Sequence, residues 1–209
     1  MTALVIIAKE CLPGRVKTRL HPPLSLEDAA RLAAASLADT LAAVADLPFS
    51  RRVLAFDGAR TPPGAEAYDV IPQTTGSLDE RLAAVFDELS GPTVLIGMDT
   101  PQLAVHHLAS LLPQWPDAAD AVLGPAADGG FWAIGMRDPD GAAIRGVEMS
   151  RDDTGAVQIA RLRASGRRVA LLPELLDVDD IDAARRVAAA VPDGSFARLL
   201  AEIDRGAAA

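Results

Sequence analysis

Only one cysteine, Cys11, occurs in the 209 residues, so no intrachain disulfide can form. A lone thiol suits a reducing compartment. Long apolar runs are also missing. Residues 4–8 and 94–97 are strand-length, far from the roughly 18 to 20 residues that cross a bilayer. The first residues show no export signal, because 2–8 run straight into Lys9 and Glu10 with no cleavage-site pattern. A cytoplasmic location is therefore expected. There is no internal repeat and no tract rich enough in Gly, Ser or Pro to divide the chain, so a single domain over 1–209 is expected. Lysine is scarcest of the charged residues: Lys9 and Lys17 are the only two.

The charge balance is strongly acidic, with Lys plus Arg at 20, Asp plus Glu at 29 and a net charge of −9. This disfavours nonspecific partners such as nucleic acid or an anionic membrane. Locally the balance reverses. Residues 1–19 carry Lys9, Glu10, Arg15, Lys17 and Arg19, which is 4 − 1 = +3, and leave −9 − 3 = −12 for the rest. An anion site on an acidic protein is one explanation, and both lysines fall inside it.

Strand-like and helix-like segments alternate, the pattern of an α/β domain with a largely parallel sheet. Strands are expected at 4–8, 52–56, 70–71, 93–97, 121–123, 131–136 and 168–172. Ser25 with Asp28 caps a helix reaching residue 45, and Ser77 with Glu80 caps one reaching about residue 89, where Leu78, Leu82, Val85, Phe86 and Leu89 recur at helical spacing. Further helices are expected at 103–112, 154–164, 181–191 and 195–204.

Five segments are candidates for chemistry. The loop Cys11-Leu12-Pro13-Gly14-Arg15-Val16-Lys17-Thr18-Arg19-Leu20 follows a strand and places three cations at alternate positions, a composition that cradles phosphates or simply stays solvated. It has neither Walker A nor G-x-G-x-x-G spacing. As a loop ammonium, Lys17 is expected to matter for donor phosphates and little for stability. Asp99 ends an apolar strand, where open α/β sheets collect ligands; it is placed to hold Mg²⁺ or to cap the next helix. Asp128-Gly129-Gly130 is a ligand loop or a tight hairpin. Asp177-Val178-Asp179-Asp180 offers acids of which one or two ligate a metal while another caps a helix, or all serve the helix. Gly76 and Arg81 flank the Ser77 cap, either facing a nucleotide or forming an ordinary loop with a solvated arginine. His21, His106 and His107 lack any metal or nucleophile spacing, and His106 and His107 are expected to point apart. Cys11 has no resolving Cys or paired His.

Taken together, P-G-R-V-K-T-R-L, G-S-L-D-E-R-L at 76–82, I-G-M-D-T-P at 96–101, G-P-A-A-D-G-G-F-W at 124–132 and D-V-D-D at 177–180 resemble the DUF2064 family of glycosyltransferase-A-like proteins, within the nucleotide-diphospho-sugar transferase superfamily. The K-T-R-L segment is similar to that of 2-phospholactate guanylyltransferases and, more distantly, of molybdenum-cofactor guanylyltransferases. The resemblance implies a Rossmann-like three-layer α/β/α sandwich with a mostly parallel sheet, and a nucleotide over the first loop touching Ala8, Gly14, Arg15, Lys17, Thr18, Arg19, Gly76 and Arg81. It implies Mg²⁺ or Mn²⁺ on Asp99 and Asp179, with Lys17, Arg15 and Asp128 as catalytic residues. Two departures stand out: Glu148-Met149-Ser150-Arg151 replaces an aromatic followed by Ser-Thr, and D-V-D-D replaces D-V-D-T. The expected activity is transfer from a nucleotide donor to a small acceptor. Nucleotidyl transfer from an NTP to a phosphate or carboxylate leads; glycosyl transfer with Asp128 as base, and noncatalytic nucleotide binding, are the alternatives.

Overall fold

The computed structural model describes residues 2–207. Its seven strands form one sheet in the order β3-β2-β1-β4-β6-β5-β7. These are β1 (Ala3–Lys9), β2 (Arg51–Asp57), β3 (Asp69–Pro72), β4 (Thr93–Ile96), β5 (Ala121–Pro125), β6 (Phe131–Met136) and β7 (Val169–Leu171). Strand β6 runs antiparallel to both β4 and β5, and every other pairing is parallel. The helices are α1 (Leu26–Val44), α2 (Leu78–Glu88), α3 (Thr154–Ala164), α4 (Ile181–Ala190) and α5 (Ser195–Ala207).

The alternation of β1 explains the three layers. Leu4, Ile6 and Ala8 bury on one face against Leu37, Leu41 and Val44 of α1 and against Leu108 and Leu111. Val5 faces the other way, onto Leu82, Val85 and Phe86 of α2 and Leu162 of α3. Each fully buried side chain of this size contributes roughly 1.5–3 kcal/mol relative to exposure. Helices α4 and α5 close a third cluster over α1, in which Leu32, Val187, Phe196 and Leu200 meet. The mostly parallel three-layer α/β sandwich expected from the sequence is thus the one observed.

The capping signals read in the sequence are made. Ser25 Oγ accepts from the Asp28 backbone N–H at 3.0 Å, and the Ser77 backbone N–H donates to the Glu80 carboxylate at 2.8 Å. Segment 103–112 departs from expectation: its ordered part is the 3-10 helix Val105–Leu111. With three residues per turn, Leu108 and Leu111 stack on one side and both reach the core. Within it the His106 and His107 rings lie 3.9 Å apart instead of diverging, and His107 Nδ1 accepts from the Ala104 backbone N–H at 3.0 Å. Among the described residues no helix is long and apolar enough to cross a membrane.

From β1 the chain crosses to β2 and β3 on one side, while β4 lies on the other. That divergence opens a crevice beyond the carboxyl ends of β1 and β4, where such sheets bind ligands. Because β6 is reversed, its leading loop comes to the same edge, and so does the segment that follows β7. The cation loop, Asp99, the Asp128 loop and the Asp177–Asp180 motif therefore converge there.

Candidate active site at the carboxyl edge of the sheet

Local backbone geometry places each charged group. Lys17 has a left-handed backbone (φ 46°, ψ 38°) at the start of the 3-10 turn Thr18–Leu20. A non-glycine residue adopts that region only when its surroundings hold it there. The turn aims its ammonium inward, where Nζ lies 3.1 Å from Asp99 Oδ2 and 3.3 Å from Asp179 Oδ1, with its side chain only 8% exposed. Arg19, far more open to solvent, reaches the other oxygen of Asp179 at 2.9 Å.

The acidic motif after β7 is pinned by backbone bonds. The Leu175 N–H donates to Pro125 C=O at 3.1 Å, and the Val178 N–H donates to Asp99 C=O at 3.2 Å. Val178 is buried, which leaves Asp177 and Asp179 facing the cleft. Asp180 turns away and caps α4, its carboxylate accepting from the Ala183 N–H at 2.7 Å. Asp and Thr both cap helices, so the D-V-D-D departure keeps the same local role. Asp99 caps no helix: the residue before the 3-10 segment is Ala104, and the Asp99 carboxylate goes to Lys17.

Asp128 sits in the β5–β6 hairpin and is both a turn residue and a cleft residue. Its Oδ1 accepts from the Gly130 N–H at 2.8 Å. Gly129 (φ +90°) packs so tightly on the next loop that a Cβ there would stand 1.8 Å from the Asp152 carbonyl oxygen. Oxygens of Asp128, Asp177 and Asp179 lie within 4.8 Å of one another. Burial first, then the charges of Asp128 and Asp179, push Asp177 up to about 6. Clustered, under-neutralised carboxylates are hard oxygen donors of the kind a divalent cation takes.

The main cleft encloses about 310 Å³ and is lined by Ala8, Lys9, Arg81, Asp99, Asp128, Asp177 and Asp179 among others. A second, of about 190 Å³, shares Lys9, Asp99 and Asp179 with it and adds Lys17, Thr18 and Arg19. Sequence reasoning thus named Lys17, Asp99, Asp128, Asp179 and Arg81, and the fold brings all of them to one edge. Arg15 and Gly14 are exposed and line neither cleft. Ala8 lines the main cleft, but its carbonyl already accepts from Gln73 Nε2 at 2.7 Å. Gly76 is exposed, and the α2 N-terminus behind it is occupied by its own Glu80.

Three residues join the site beyond those singled out from the sequence, where Asp177 stood only as one of several acids. Asp177 belongs to the acidic cluster, although the sequence separates it from Asp179 by only Val178. Lys9 lines both clefts and forms no ion pair among the described residues; its being one of two lysines is the available signal. Gln73 positions Arg81, accepting from its Nη1 at 3.1 Å, and nothing in its sequence context marks it. Cys11 is half-buried, and burial, then Asp99, push its thiol up to about 11, which keeps it protonated and unreactive near neutrality.

A sheet of order 3-2-1-4-6-5-7, covered by helices on both faces and with acids and cations gathered at its carboxyl edge, is the fold shared with solved nucleotide-handling transferases. The chain belongs to the DUF2064 family, described as uncharacterized proteins conserved in bacteria, whose sequence model matches residues 34–151. The cation loop and the acidic motif after β7 lie outside that match. A solved structure from Desulfovibrio desulfuricans G20, provisionally described as a nucleotide-diphospho-sugar transferase, is 24% identical with a TM-score of 0.80 and covers 98% of this chain and 95% of its own. Two others share the fold at lower similarity. The 2-C-methyl-D-erythritol 4-phosphate cytidylyltransferase of Thermus thermophilus has 16% identity, a TM-score of 0.51, and coverage of 91% of this chain and 97% of its own. A cytidylyltransferase of Leptospira borgpetersenii serovar Hardjo-bovis has 11% identity, a TM-score of 0.54, and coverage of 99% and 95%. No curated protein matches the chain.

Proposed function

We propose that this protein is a metal-dependent transferase acting on a nucleotide donor, and that it transfers a nucleotidyl group from an NTP to a small acceptor bearing a phosphate or carboxylate. The observation that carries the reading is the meeting, in two adjoining clefts that share Lys9, Asp99 and Asp179, of an acidic cluster with Lys9, Lys17 and Arg19. Anions and a cation are accommodated side by side, as a nucleotide's phosphates with their counter-ion require. The cytidylyltransferases that share the fold support the donor class by analogy alone.

In the reaction proposed, an acceptor oxygen attacks the α-phosphorus, its new P–O bond forms as the α–β bond breaks, and pyrophosphate leaves with the electron pair. Lys9, which forms no ion pair among the described residues, and Arg19, exposed at the rim, meet the departing charge. Lys17 stands between Asp99 and Asp179, so it contributes to the phosphates only by exchanging a carboxylate for one of their oxygens. Arg15 and Thr18 would follow as outer contacts of the same loop. No protein nucleophile is needed, since positioning and charge stabilisation carry such transfers.

Asp179 with Asp177 and Asp128 would hold Mg²⁺ or Mn²⁺, which supplies Lewis-acid neutralisation of the donor's phosphate oxygens when bound. Asp99 joins this set when Lys17 turns to a phosphate. Under this reading Asp128 is a ligand before it is a base, which weighs against glycosyl transfer with Asp128 as the general base.

Incubating the protein with each NTP, a panel of phosphorylated and carboxylate acceptors, and Mg²⁺ or Mn²⁺ tests the proposal through pyrophosphate release. Turnover of nucleotide-sugars alone would replace it with glycosyl transfer. Binding indifferent to chelator, with no turnover of either donor class, would leave a noncatalytic nucleotide-binding protein.

A further inference from the structure

Resting on the donor reading above, we propose that Arg81 reads the donor's base, and that the cleft selects a base with two adjacent hydrogen-bond acceptors, guanine or cytosine, over adenine or uracil. Arg81 projects from α2 into the main cleft and is partly buried. In a protein of net charge −9 it forms no ion pair among the described residues, and its Nε is buried without a partner. That buried Nε sets it apart from the other unpaired arginines among the described residues, and a buried donor left without a partner marks a group whose bonding the fold does not complete.

Its orientation is fixed by Gln73. The Gln73 Nε2 donates to Ala8 C=O at 2.7 Å and to Ala55 C=O at 2.9 Å, at the carboxyl ends of β1 and β2. Its Oε1 accepts from Arg81 Nη1 at 3.1 Å. Rotating the Gln73 amide by half a turn would set its oxygen against two carbonyls and its NH₂ against a guanidinium, so only one arrangement is satisfied. The guanidinium is therefore held in place before any ligand arrives, and it only donates.

Leu78 and Leu82 flank Arg81 on α2, and Ile7, Leu95, Phe131 and Met149, which belong to the same apolar cluster as Leu82, line the cleft with them, an apolar setting suited to the faces of a planar ring and poor for a multiply charged phosphate. With phosphates drawn to the lysines and the acidic cluster, the base of the same nucleotide falls at this end. Against a fixed fork of donors, guanine offers O6 and N7 and cytosine offers O2 and N3. Adenine pairs N7 with an amino donor, and uracil's N3–H lies between its carbonyls. In both of the latter a donor meets a donor. A bidentate arginine contact of this kind discriminates by roughly 5- to 150-fold.

The four nucleoside diphosphates test this, because they hold the base and phosphates common to NTPs and nucleotide-sugars. Calorimetric titration of the full chain with GDP, CDP, ADP and UDP in Mg²⁺, with inorganic pyrophosphate as a base-free probe, is expected to favour GDP or CDP by at least about fivefold, and the pair shows which of the two it is. In Arg81→Met, and equally in Arg81→Lys, the preference should disappear while pyrophosphate affinity and melting temperature hold. Equal wild-type affinity for all four, or a preference for ADP or UDP, overturns the inference and leaves the donor reading standing. A uniform loss in Arg81→Met that extends to pyrophosphate would make Arg81 a phosphate ligand and overturn it as well. If none of the diphosphates binds, the donor reading fails and this inference falls with it.

Discussion

The two ends of the main cleft are built on opposite principles. At the acidic end, Asp128, Asp177 and Asp179 crowd together and are only partly neutralised, by Lys17 and Arg19. On α2, Arg81 stands with Leu78 and Leu82 in the cleft wall and forms no ion pair among the described residues. The first arrangement holds repulsion that a bound cation would relieve; the second holds unmet donors that a ligand's acceptors would relieve. The proposed reading thus assigns selectivity for charge and selectivity for shape and hydrogen bonding to separate residues of one crevice.

The sharpest way to break this comparison is Asp179→Asn, because Asp179 alone touches Lys17, Arg19 and the acidic cluster. Metal-dependent nucleotide affinity is expected to fall by about 100-fold, with folding nearly intact, as measured by titration with and without chelator. Asp177→Asn should follow closely. Asp99→Asn should cost less, since Asp99 lies outside the cluster; an equal loss would restore Asp99 to the centre of the ion site.

Next come the two lysines. Lys9→Ala is expected to weaken donor binding by about tenfold with an unchanged melting temperature. Lys17→Ala should weaken donor binding too, but it also strands two carboxylates. The expectation that this ammonium matters little for stability therefore gives way to a loss of about 1 kcal/mol, read as a melting temperature lower by roughly 2–4 °C. Identical melting curves for the two variants would mean that the Lys17 ion pairs carry no stability.

Asp177 supplies a pH test. Its folded pKa, about 6, lies above its unfolded value, so the folded state binds the extra proton between the two and gains stability as pH falls through that interval. The metal-free protein should melt at a slightly higher temperature at pH 5.5 than at pH 7, and Asp177→Asn should flatten the difference. Metal affinity should move the opposite way, falling below about pH 6. The smallest effect expected is in Asp99→Asn without metal, where loss of one of two partners of Lys17 should shift melting by less than that of Lys17→Ala.

Much of the fold is legible in the sequence because it rests on local signals. The β1 alternation and the Ser25 and Ser77 caps act through neighbours a few residues apart, and signals of this kind placed the seven strands and all five α-helices near where they are. Segment 103–112 reads as a regular helix because its apolar positions do not show how tightly a three-residue turn must wind to bury Leu108 and Leu111.

For the site, the sequence determined the inventory: a cation loop, carboxylates at strand ends and an arginine behind a helix cap, each recognisable from residue type and from its position after an apolar run. Only the tertiary structure decided the pairings. Lys17 met Asp99 and Asp179 across 82 and 162 positions, Asp177 entered the cluster through a backbone anchored to β5, and Gln73 fixed Arg81 by bridging two strand ends. Those pairings depend on sheet order and on the reversal of β6. Both are settled by how whole layers pack, and a local run of residues carries no record of which distant loop will lie opposite it.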